Sequence, residues 1–162
     1  MDKVRVAKAG AVAGVIYGFL TAIAGIVYMV MMKEEVITTI RTALSAYGNL
    51  PITAEDLYPM SLAGAIPGGL INGLIVGIIL AFVFAIIYNE LIGKNSMIKG
   101  VCFSVLILIG IGIGEMAAPG ISAGLILLNS RFLPSLALGV IFFLAYGYLL
   151  GMFYDRFGKP KK

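Results

Sequence analysis

Residues 64–88 hold no charged side chain and one amide, Asn72. About twenty apolar residues rising 1.5 Å each cross a hydrocarbon core of roughly 30 Å, so the run is long enough for a transmembrane helix. Within it Gly69, Gly73, Gly77, Ala81 and Ala85 recur at every fourth position. On a helix that spacing gathers them on one side, where a neighbouring backbone can come close. The stretch therefore predicts a bilayer-spanning helix with a packing face, and the rest of the chain must supply what packs on it.

The composition agrees. The chain is 60% hydrophobic and 12% charged, with a mean hydropathy of +1.04, whereas soluble domains carry about 25% charged residues. Residues 1–162 read as one integral membrane domain whose first partner is the lipid bilayer. The formal charge of +4 comes from basic residues beside apolar runs, where they act as topology signals, and implies no nucleic-acid role. Cys102 is the single cysteine and there is no histidine. An intramolecular disulfide is excluded, and neither a transition-metal site nor a cofactor is expected.

Taken in order, Lys3, Arg5 and Lys8 precede an uncharged run over 9–32. That run is too long for a signal-peptide core and reads as an uncleaved first span, residues 8–32. Its Gly10, Gly14 and Gly18 form a second small-residue face suited to close antiparallel contact with the face of Gly69, Gly73 and Gly77. Residues 33–47 are amphipathic and either extend the first helix or lie on the membrane surface. Thr53 reads as an N-cap with Asp56 at N3, Ile52 packing on Leu57, and Pro59 ending that turn.

The second span is 65–90, and a turn between Lys94 and Lys99 leads to a third, 97–117. Residues 118–131, interrupted by Pro119 and Gly120, form an outer cap or re-entrant segment. A fourth span, 132–155, opens on Pro134, at a position that tolerates a missing N–H. The expected fold is thus an all-α bundle of four transmembrane helices with a partly helical outer loop, 33–64. Nine of the twelve basic residues then share one side with both termini, leaving Lys33, Arg41 and Arg131 on the other. The positive-inside rule makes that side cytoplasmic.

A shift of 66 residues lays the second span on the fourth, aligning Gly73 with Gly139, Ala81 with Gly147, Ala85 with Gly151, Tyr88 with Tyr154 and Asn89 with Asp155. This suggests two tandem helical hairpins of the same orientation, related by an axis along the membrane normal. The first and third spans add little: Lys8 and Lys99 both open a span, but their glycines do not register.

Two residues could carry chemistry. Glu115, in a Gly-rich run, is a proton or cation site if it is buried; alternatively it lies about 24 Å above Lys99 with its head in water. Asn72, five residues after Pro67 in a Pro-Gly-Gly break, either lines a pathway or bonds a neighbouring helix. If both are functional they share one outward-facing pocket. Tyr88 and Tyr154 read as interfacial anchors.

The expected function is that of a non-catalytic subunit or scaffold, forming a homo-oligomer or joining a larger membrane complex through the faces of Gly10, Gly14, Gly18, Gly69, Gly73, Gly77, Gly139, Gly147 and Gly151. The alternative is a small-solute or ion transporter or channel using Glu115 and Asn72. An enzyme is not expected, because few general acids or bases are present.

Overall fold

The computed structural model of the protein describes the backbone of residues 2–46, 51–117 and 133–158, and the side chains of 2–46, 51–111 and 137–158. These residues form five helices and no strand: α1 (Lys3–Met31), α2 (Lys33–Ser45), α3 (Ala54–Ile87), α4 (Ser96–Ala117) and α5 (Leu133–Arg156). Three are long and apolar enough to cross a membrane, namely α1, α3 and the Ala137–Arg156 part of α5. In α4 the apolar helix with described side chains covers Ser96–Ile111. The expected outer cap, 118–131, lies outside the described residues.

Each start has a local cause. The Asp2 carboxylate accepts from the N–H groups of Val4 and Arg5 and caps α1, satisfying donors that the first turn cannot. At α3 the Thr53 hydroxyl accepts from the Asp56 N–H while the Asp56 carboxylate accepts from the Thr53 N–H, a complete capping box. One residue, Met32, separates α1 from α2. The chain turns there, and α2 lays Val36, Ile37, Ile40 and Leu44 against Ala54, Tyr58 and Leu62 of α3. The Tyr58 hydroxyl donates to the Met29 carbonyl at 3.0 Å, tying α3 to the end of α1.

Pro59 does not end a turn, and Pro67 does not break the helix; α3 runs through both for 34 residues. A proline removes one N–H and leaves one carbonyl, here those of Glu55 and Ala63, without its helical partner. That loss is local, and the packing of α2 and α1 on either side of Pro59 holds the helix in line. The chain is thus continuous helix from Ala54 onward, where the sequence reading has a partly helical loop, 33–64, with a single turn ended by Pro59.

The Asp56 carboxyl is held below the usual carboxylate range by the Thr53 hydroxyl and then the Thr53 N–H. A lowered folded value means that the box stabilises the helix start above the ordinary value of 3.8 and is lost as pH falls below it. Hydrogen exchange across 53–58, corrected for intrinsic rates, should therefore accelerate below that pH, and Asp56→Ala should show the same loss at neutral pH. The nearby Arg41–Glu55 ion pair, 2.5 Å, is exposed on both sides and contributes little.

The core lies between α1, α3, α4 and α5, around Val6, Phe84, Phe103, Tyr146 and Leu150. Helix α1 packs along both α3 and α5, and α5 packs along α4. Between α3 and α4 the turn passes through Gly93 at φ +151°, a conformation that favours glycine, and a Cβ there would press on Ile98.

Candidate functional site

Among the described residues the most extensive helix contact is the seam between α1 and α3. A Cβ on Gly10 would overlap the Gly77 carbonyl and Ala81, one on Gly14 the Gly73 carbonyl and Gly77, and one on Gly18 the Gly69 carbonyl and Gly73. The reverse holds for Gly69, Gly73 and Gly77, which meet Gly18, Gly14 and Gly10. As α1 advances from Gly10 to Gly18 its partner recedes from Gly77 to Gly69, so the helices are antiparallel. Each glycine costs about 1 kcal/mol in a helix relative to alanine, and here the missing side chain is the space the opposite backbone fills. This contact is internal to one chain, so the seam is occupied before any second protein arrives.

A second small-residue contact joins α4 to α5. Gly147 faces Gly100 and the Ser104 hydroxyl, and Gly151 faces the Ser96 carbonyl. Gly139 is buried as well. Ser104 is fully buried, and its hydroxyl has no hydrogen-bond partner among the described residues.

Polar side chains inside the bundle link helices. The buried Tyr146 hydroxyl of α5 donates to the Gly77 carbonyl of α3 at 3.0 Å, while Tyr17 of α1 sets its ring edge-on to Phe143 and Tyr146. Removing that hydroxyl with Tyr146→Phe should cost about 1 kcal/mol, read as a lower midpoint of denaturation in detergent with the fold otherwise unchanged.

At the end where α1 and α4 start and α3 and α5 finish, two cations make the same pair of contacts. Arg5 donates through Nε to the Tyr154 carbonyl at 2.6 Å, with its guanidinium 4.0 Å from the centre of the Tyr154 ring. Lys99 donates to the Tyr88 carbonyl at 2.7 Å, with its ammonium 4.3 Å from the Tyr88 ring centre. The two rings lie 5.1 Å apart. Beside them Ser96 donates to the Asp155 carboxylate at 3.0 Å and lies 2.6 Å from the Tyr88 hydroxyl. The serine has one proton, which goes to Asp155, so Tyr88 is the donor to Ser96. Each cation also sits near a helix C-terminus, where the helix dipole favours positive charge. Tyr88 and Tyr154 thus act as the receiving ends of a clasp, a role beyond the interfacial anchoring expected of them.

Asn72 lies on α3 with its side chain exposed, about 100° around the helix from Gly73 and about 140° from Gly77. No hydrogen bond to its carboxamide occurs among the described residues. Glu115 falls in the last turns of α4, and its side chain lies outside the described residues. Among the described residues no three His, Cys, Asp or Glu side chains cluster as a metal site would require.

The Ser96–Gly151, Lys99–Tyr88 and Arg5–Tyr154 contacts are the features that sequence reasoning misses. Their one sequence signal is the alignment of Tyr88 with Tyr154, once Arg5 rather than Lys8 is set against Lys99. Comparison with protein-family models, with curated proteins and with solved structures finds no match in any of the three.

Proposed function

We propose that the chain is a small non-catalytic membrane subunit whose role is to assemble with other membrane protein, either further copies or a larger complex. Its four apolar helices cross the bilayer as two tandem hairpins of the same orientation, with both termini and the turn at Gly93 on the cytoplasmic side. The reciprocal contacts of Arg5 with Tyr154 and of Lys99 with Tyr88 support the tandem relation, since they set α1 against α5 as α4 is set against α3. The excess of basic residues at that end supports the orientation.

The observation that carries the assembly role is the outward side chain of Asn72 on α3. In a membrane span a polar side chain normally faces a partner or a cavity, because hydrocarbon offers it no hydrogen bond. The faces of Gly10, Gly14, Gly18, Gly69, Gly73 and Gly77 are filled within the chain, so assembly uses a different surface from theirs. Native mass spectrometry after gentle extraction from the host membrane tests the role. An assembly of defined stoichiometry is expected, and a bare monomer under conditions that preserve other membrane complexes would refute it.

A further inference from the structure

We infer that a second copy of this chain docks on the outer face of α3, with Asn72 opposite Asn72 across a two-fold axis along the membrane normal. The inference rests on the subunit reading above and names the partner. Gly64, Gly68, Asn72, Ile75, Ile79 and Ile86 fall within an arc of about 80° on the helix, opposite Gly73 and Gly77. A Cβ on Gly64 or Gly68 would meet nothing within 4 Å. Ile75, Ile79 and Ile86 are 54%, 57% and 73% exposed. The face is apolar except at Asn72.

Depth places the amide in hydrocarbon. Asn72 lies fifteen residues, about 22 Å, from Ile87 at the clasp end of α3, inside a core of roughly 30 Å, and Gly68 lies close to the far edge. The carboxamide has two donors and an acceptor, and lipid tails satisfy none of them.

The chemistry of the group then selects the partner. Copies of one membrane protein share one orientation, so residue 72 sits at the same depth in each, and a two-fold axis along the normal brings the two α3 helices together in parallel. A carboxamide is complementary to its own copy, because each side offers what the other lacks. A carboxylate or an ammonium at this position would repel its copy instead. Gly68, one turn outward, lets the backbones approach where the amides pair, and Ile75 and Ile79 supply shape on the inward side.

The test uses the full-length protein, purified and reconstituted in phosphatidylcholine vesicles over a range of protein-to-lipid ratios. Single-molecule photobleaching should show monomers giving way to dimers as the ratio rises. Asn72→Leu should weaken the dimer about three- to tenfold, and Asn72→Gln should recover part of the loss. In a Cys102→Ser background, Ile75→Cys should form an oxidative dimer, whereas Val27→Cys, 52% exposed on α1, should not. Monomers at every ratio, an unchanged dimer in Asn72→Leu, or equal cross-linking from Val27→Cys would each overturn the inference. If the purified chain stays monomeric while the host-membrane extract holds it with a different protein, the subunit reading stands and the self-docking inference fails. Monomers in both preparations would refute the two together.

Discussion

Gly14→Leu should abolish the native arrangement of α1 and α3, with a loss of about 3 kcal/mol or more. A Cβ at this position would overlap the Gly73 carbonyl and reach the Gly77 Cα. Those obstacles are backbone, which no rotamer change can move aside, so relief requires the helices to separate along the seam. Separation would open the contacts of Gly10 and Gly18 at the same time, and it would draw Gly77 away from the Tyr146 hydroxyl. Gly73→Leu meets the mirror obstacle, the Gly14 carbonyl with Gly18 behind it, and should fail alike. Gly25→Leu is the matched control. It adds the same side chain to the same helix where nothing lies within 4 Å, and it should not destabilise; losing a helical glycine should instead add up to about 1 kcal/mol. Size-exclusion profiles and denaturation midpoints in one detergent separate the cases. A Gly14→Leu protein as stable as Gly25→Leu would refute the close seam.

How much of this could be read in the chain itself depends on the range of each interaction. Small residues at every fourth position are visible in the sequence, and the structure sets those of α1 against those of α3. The N-cap of α3 is legible for the same reason, since Thr53 and Asp56 act within one turn. Pro59 and Pro67 mislead because a proline carries a strong local signal against helix, whereas α3 is held through both by neighbours that local reading does not weigh. The direction of Asn72 depends on which stripe of α3 meets α1. The run contains two stripes of small residues, Gly64 with Gly68 and Gly69 with Gly73, and only the packed chain distinguishes them. The clasp is the least legible feature, because it joins residues 149 apart, Arg5 and Tyr154. Nothing local in Arg5 separates it from Lys3 or Lys8 as one more basic residue beside a span.

Arg5→Ala and Lys99→Ala should each cost about 2 kcal/mol, and their effects should not be independent. Each removes a charge-assisted hydrogen bond to a carbonyl at a helix end, worth about 1.5–3 kcal/mol, and a cation over a ring, worth about 0.5–1 kcal/mol. Both groups are half-buried, which places the expected cost toward the lower part of that sum. Coupling follows from the geometry, because the rings that receive the two cations lie against each other at 5.1 Å with a 36° tilt, and Phe84 sets its edge on both. Loss of one cation frees its tyrosine to move and so loosens the ring under the other. A double-mutant cycle should therefore return a coupling of about 0.5 kcal/mol or more. Arg5→Lys separates charge from shape: it keeps the attraction to the helix end but lacks the Nε that bonds the Tyr154 carbonyl, and should recover part of the loss. Hydrogen exchange locates the effect. Arg5→Ala should deprotect the last turn of α5 near Tyr154, and Lys99→Ala the end of α3 near Tyr88. If both substitutions deprotected one helix end only, or neither, the two contacts would not be equivalent halves of one clasp. The proposed tandem arrangement of the hairpins would then lose the observation that favours it.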